Sequence, residues 1–177
     1  MNKTLAVLAL ILVLATAGCG PTPTPQPEPL VLPYVLYDRD FHGNQVTIRL
    51  LPDCMTDPQP DQYCFDIVIH PGEGQTTFGA QIITLPLTEG YQKDREVDWK
   101  ERIGDNTGSG TLSTGPAEPG LEHRTQVGFF EQVYPVAVFV RLTATVQGSV
   151  VTGLQTSPPL AVLQILPDGG GVVRLDR

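Results

Sequence analysis

Three cysteines, three histidines, nineteen carboxylates and one serine set between glycines are the side chains of this 177-residue chain that could do chemistry. His42, His70 and His123 lie far apart, none at zinc-finger or zincin spacing from another ligand, so solvated histidines on strand ends and loops are expected. Acidic residues gather at Asp38-Arg39-Asp40 and at Asp105-Asn106-Thr107-Gly108. Neither run fits the D-x-[DN]-x-[DN]-G calcium loop, and turn residues in water are the expectation for both. Ser109 sits in Gly108-Ser109-Gly110, which is not G-x-S-x-G, and no Ser-x-x-Lys occurs. A nucleophile also needs a base and an orienting acid, and nothing marks His70 or His123 for that duty. Paired glycosidase carboxylates leave no sequence mark, but 7% aromatic residues with one Trp give little surface for stacking sugars. No Gly-rich phosphate loop leads into a helix. No catalytic, cofactor-binding or metal-binding residue is therefore assigned.

The cysteines are more informative. Met1 to Thr4 carry one Lys and precede the apolar run from Leu5 to Leu14, too short for the roughly 20 residues of a membrane-spanning helix. The run ends in the small residues Ala15-Thr16-Ala17-Gly18, which reads as an export signal over 1–18. Ala17-Gly18-Cys19 after this apolar run resembles the lipobox of bacterial lipoproteins. The resemblance implies that the signal is cut before Cys19, that the Cys19 thiol carries a diacylglyceryl group, and that the new amino terminus is often acylated as well. Two or three chains anchor stably where one binds only marginally. Residues 19–29 then alternate Pro with polar residues, a polyproline II stalk that at about 3.1 Å per residue could hold a domain up to roughly 28 Å off the membrane. The expected address is the bacterial cell envelope, at the outer face of the cytoplasmic membrane or at the outer membrane.

Export makes Cys54 and Cys64 candidates for a disulfide. They flank a turn-rich connector, Met55 to Tyr63, between two alternating stretches, and a closed loop of this size is worth about 3 kcal/mol in the chain-entropy model. No C-x-x-C suggests redox duty. The charge points the same way as the lipid. Eleven Lys and Arg against nineteen Asp and Glu give a net charge of -8; loss of Lys3 with the leader leaves ten against nineteen, or -9. Such a chain is repelled by an acidic membrane surface, so lipid must do the anchoring, and without a basic patch it does not capture nucleic acid.

Residues 30–177 must supply whatever the anchor displays, and they are enough for one domain. Their dominant signal is period-two alternation: Val46, Ile48 and Leu50; Phe65, Ile67 and Ile69 against Asp66 and His70; and Val136, Val138, Val140, Leu142, Ala144 and Val146 against Ala137, Phe139, Arg141, Thr143 and Thr145. The first set of each is expected in a core and the second in water. Further strands are expected over residues 30–37, 81–87, 125–132, 150–156, 160–166 and 172–175, the last after a hairpin turn at Pro167-Asp168-Gly169-Gly170-Gly171. The stretch 89–103 has two readings. Glu89, Glu96 and Asp98 each precede a base by four residues, as in a solvated helix, while Val97, Trp99 and Ile103 keep strand spacing; a strand is the expectation. Gly104 to Gly110 and Gly115 to Gly120 read as loops.

This pattern argues an all-β antiparallel sandwich. Residues 132–166, with a long alternating strand, a Gly148 turn and Ser157-Pro158-Pro159-Leu160, resemble the last two strands of an immunoglobulin-like or fibronectin type III module. The late Trp99 and the close Cys54 and Cys64 depart from the immunoglobulin arrangement. The expected function is a non-catalytic binding or assembly module whose partner is an envelope protein or polysaccharide. The alternatives are a small envelope hydrolase with its site on loops 104–120 and a calcium-stabilised adhesive domain.

Overall fold

Alternation over Asn44–Leu51 and Gln62–His70 turns Val46, Ile48, Leu50, Phe65, Ile67 and Ile69 inward, and all six are fully buried. They belong to a computed structural model that describes residues 27–55, 58, 62–73, 75–93, 95–103, 111–113, 120–130, 134–146, 149–151 and 156–177. Its elements are β1 (Tyr34–Phe41), β2 (Asn44–Leu51), β3 (Gln62–His70), β4 (Gln75–Pro86), one helical turn α1 (Trp99–Ile103), β5 (Thr111–Ser113), β6 (His123–Phe130), β7 (Val136–Val146), β8 (Ser149–Val151), β9 (Ala161–Ile165) and β10 (Val172–Arg174).

Two antiparallel sheets face each other. Sheet 1 has the order β1-β2-β3-β6; sheet 2 has the order β10-β9-β7-β4-β5, with β8 also paired to β7. Their inner faces share one apolar core, in which Val136, Val138, Val140 and Leu142 of β7 meet the sheet 1 residues above. The expected all-β sandwich is what the chain forms.

Local chemistry sets the β1–β2 hairpin. His42 and Gly43 both take positive φ, 50° and 82°, the backbone of a two-residue turn that continues the strand twist. Asp40 Oδ1 accepts from the Gly43 N–H at 3.2 Å. Buried Asn44 donates to the Phe41 carbonyl at 3.0 Å and accepts from the Gly72 N–H at 3.3 Å, tying this turn to the one after β3.

Four expectations need correction. Residue 30 does not begin the first strand: its N–H donates to the Val172 carbonyl at 2.7 Å, beside a bridge from Pro29 to Val173, and only from Tyr34 does the chain run in sheet 1. Ala137 and Phe139, expected in water, are fully buried on the outer face of sheet 2 with Ile83, Leu87, Ile103 and Val162. What covers them is the stretch read as a strand, which instead ends in α1. Asp98 caps α1, its Oδ1 accepting from the N–H groups of Lys100 and Glu101 at 3.0 and 3.1 Å, and the Trp99 ring meets Phe139 edge-on at 5.7 Å. Glu89 pairs with Arg95 and Arg102 rather than with a base four residues on. Finally, Thr156 does not end a 150–156 strand: Val150 and Val151 belong to β8, Thr156 stands outside any strand, and residues 152–155 lie outside the described residues. The hairpin before β10 forms as expected, with Val172 opposite Ile165.

Candidate functional site

Asp66 is where sequence and structure part most sharply. Its position on β3 faces away from the core, yet its side chain is 0% exposed. Register explains this: Asp66 stands opposite Arg49 of β2 and Gln126 of β6, and Arg124 is two residues from Gln126 on the same face. Arg124 donates from Nε to Oδ1 at 2.6 Å and from Nη2 to Oδ2 at 3.1 Å; Arg49 donates from Nε and Nη2 to Oδ2 at 3.2 and 2.8 Å; Gln126 Nε2 donates to Oδ1 at 3.3 Å. Burial alone pushes the Asp66 pKa up. The hydrogen bonds from Arg124, Arg49 and Gln126 and the charge of Arg124 outweigh it, and the carboxyl sits below the usual aspartate range. The Asp66 hydrogen bond likewise raises Arg124 above its ordinary value, against the opposing effect of burial. A carboxylate held this way takes no proton from a substrate. It is a rivet across three strands.

The expected disulfide joins here. Cys54 and Cys64 are bonded, with Cα atoms 5.1 Å apart, and Cys64 lies opposite Gly128 on the same outward face as Asp66. Beside it the Met55 N–H donates to Gln126 Oε1 at 2.7 Å. The loop after β2 is thereby pinned to the sheet by a covalent bond and a hydrogen bond.

The histidines do not converge. His42 occupies the β1–β2 turn with its ring against Phe41, His70 Nε2 is 3.9 Å from Glu122 Oε2 on an exposed strand end, and His123 Nε2 is enclosed without a hydrogen-bond partner. Among the described residues no three His, Cys, Asp or Glu side chains stand together as a metal site. Asp38, read as a turn residue, is on β1, and its Oδ1 accepts from Gln45 Nε2 and Thr47 Oγ1 at 2.7 and 3.0 Å. Cys19, the stretch Asp105 to Ser109 and most of loops 104–120 lie outside the described residues.

An open feature borders β1, the end strand of sheet 1. A cleft of about 650 Å³ runs between residues 35–39 and residues 156–160. One wall is the inner lip of β1, where Leu36 and Tyr37 are buried and the Arg39 guanidinium lies 6.0 Å from the Tyr37 ring centroid. Burial pushes the Tyr37 hydroxyl up, against Arg39, which lowers it. The other wall is fixed to β7: the Thr156 N–H donates to the Val140 carbonyl at 3.1 Å, and the Leu160 N–H to the Val138 carbonyl at 2.7 Å. Arg174 braces both sides, donating to the Leu160 carbonyl at 3.0 Å and to Tyr34 Oη at 3.5 Å. No protein-family model, curated protein or solved structure matches this chain. No described helix is long and apolar enough to cross a membrane.

The cleft escaped the sequence reading because its walls are 120 residues apart. Its one local mark was Ser157-Pro158-Pro159, where proline cannot donate to the β7 ladder and the strand must leave the sheet.

Proposed function

We propose that this chain is an exported, lipid-anchored protein of the bacterial cell envelope whose sandwich acts without catalysis as a binding or assembly module. The lipobox-like Ala17-Gly18-Cys19, the apolar run before it and the Pro-rich stalk after it support the anchor. The likeness of residues 132–166 to an immunoglobulin-like module suits a display domain, and such domains act through sheet edges, faces and loops. The observation that carries the binding reading is the edge of β1, left uncovered among the described strands, across a cleft whose two walls are both held by the fold.

The test is crosslinking of the native protein in cells, followed by mass spectrometry of what is attached, with Cys19→Ser as control. One recurrent envelope protein or polysaccharide, lost in the control, is the expected result. A hydrolytic activity of the purified chain on envelope polymers, abolished by a single side-chain change, would overturn the reading. A Cys19→Ser variant that still fractionates with membranes would refute the lipid anchor.

A further inference from the structure

The side of β1 that no described strand covers has a defined hydrogen-bonding face. A two-residue turn makes Phe41 and Asn44 a hydrogen-bonded pair, and such pairs alternate along an antiparallel ladder. Arg39 and Tyr37 therefore turn their backbone groups toward β2, while those of Asp38 and Asp40 point away from it. No described strand pairs with that side.

The charges alternate as well. Asp38 and Asp40 are directed to the outer face and the turn, where Gln45, Thr47 and the Gly43 N–H occupy them. Arg39 is on the opposite face, lines the cleft, and makes no ion pair with a described carboxylate. A strand laid against this edge thus meets a cation inside, flanked by two anions outside. A second copy of this chain fits badly: symmetric antiparallel registers centred on Asp38, Arg39 or Asp40 set Asp opposite Asp or Arg opposite Arg.

We propose that β1 is the docking edge for an extended segment of a partner protein that carries an acidic residue between two basic ones. The acidic residue enters the cleft opposite Arg39, the two basic residues lie outside opposite Asp38 and Asp40, and apolar neighbours pack on Pro158, Pro159 and Leu160. Backbone bonds to Asp38 and Asp40 supply affinity, and the charge order supplies register. This rests on the reading of the chain as a binding module and names the chemistry of its partner.

The probe is a capped nonapeptide with Lys-Glu-Lys at its centre and Val and Thr on either side, titrated into the full-length chain in detergent by calorimetry and by amide chemical shifts. Binding is expected, with shifts confined to residues 35–40 and 156–160. Exchanging the charges to Glu-Lys-Glu, or Arg39→Glu in the protein, should weaken it about ten-fold. N-methylation of the peptide nitrogens that face β1 should abolish binding, and N-methylation of the alternate nitrogens should spare it. Arg39 is exposed, so an unchanged Tm verifies that the variant folds. No binding at millimolar peptide, indifference to charge order or to N-methylation, or shifts on another edge would each overturn the proposal. A partner found by crosslinking in cells while the peptide fails sinks this inference and leaves the binding module standing.

Discussion

The side chain of Gln126 joins Met55 to Asp66: its Oε1 accepts from the Met55 N–H at 2.7 Å while its Nε2 donates to Asp66 Oδ1 at 3.3 Å. One amide thus links the disulfide loop after β2, the centre of β3 and the edge strand β6. The outer face of sheet 1 is held by a polar network where its inner face is held by packing.

Removing the centre of that network should be costly. Asp66→Ala leaves two guanidiniums facing each other across β3, and loss of one partner from a buried pair costs about 3 kcal/mol or more. Arg49→Gln or Arg124→Gln should cost distinctly less, because each arginine is about a third exposed and the other still pairs with Asp66. Urea unfolding of the three variants checks the order.

Acid should act through the same carboxylate. The folded pKa of Asp66 is below the ordinary value of 3.8, so its contribution is fully present above that value and is lost as pH falls through the folded pKa. Stability attributable to Asp66 should be flat from pH 7 to 5 and should fall below about pH 4. Asp66→Asn should show a shallower acid limb in a series of thermal melts; an unchanged limb would place the acid sensitivity elsewhere.

The disulfide closes a short loop, its two cysteines ten positions apart in sequence, and both cysteines are buried. Reduction, or Cys54→Ser with Cys64→Ser, should cost up to about 3 kcal/mol. Amide exchange should rise first at Met55 and along β6 near Gln126, since the loop loses its covalent pin.

Gly72 has no room for a side chain. A Cβ there would lie 2.1 Å from the Gly43 carbonyl oxygen, a backbone atom of the neighbouring turn. Gly72→Ala should destabilise by about 1–3 kcal/mol, with Asn44 as the reporter, because separating the turns breaks its bond to the Gly72 N–H.

The cover over the outer face of sheet 2 can be read from the chain's one Trp. Trp99 packs on Phe139, and Ile103 is buried beside them. Ile103→Ala should cost about 2 kcal/mol or more and shift Trp99 emission to the red as the segment loosens; Asp98→Ala, removing the cap of α1, should cost about 1 kcal/mol.

Period-two alternation made the inner faces of β2, β3 and β7 legible, since a strand can bury Val46, Ile48 and Leu50 together on only one side. The same pattern divides residues between two faces without saying whether something covers the second. Asp66, Ala137 and Phe139 were misplaced for that one reason: their cover comes from the Arg49 and Arg124 side chains and from the stretch ending in α1, which period cannot reveal. At α1 a local signal did exist. Asp98 followed by Trp99-Lys100-Glu101 is an N-cap before a helical turn, a signal apart from the charge pairs of Glu89, Glu96 and Asp98 that were set against the strand spacing of Val97, Trp99 and Ile103. The Cys54–Cys64 bond was legible because its two partners flank one short, turn-rich stretch.

The pairing order also governs how the chain reaches this state. β1, β2 and β3 follow one another in sequence and pair as neighbours, so Arg49 finds Asp66 across seventeen residues. Arg124 comes from β6, fifty-eight residues beyond Asp66, and the long β4–β7 ladder likewise joins distant segments. Non-local ladders of this kind close slowly, on the millisecond-to-second scale of β-sandwiches. Without β6, Asp66 has one arginine where the finished domain gives it two, so the local hairpins alone leave the buried carboxylate half-partnered.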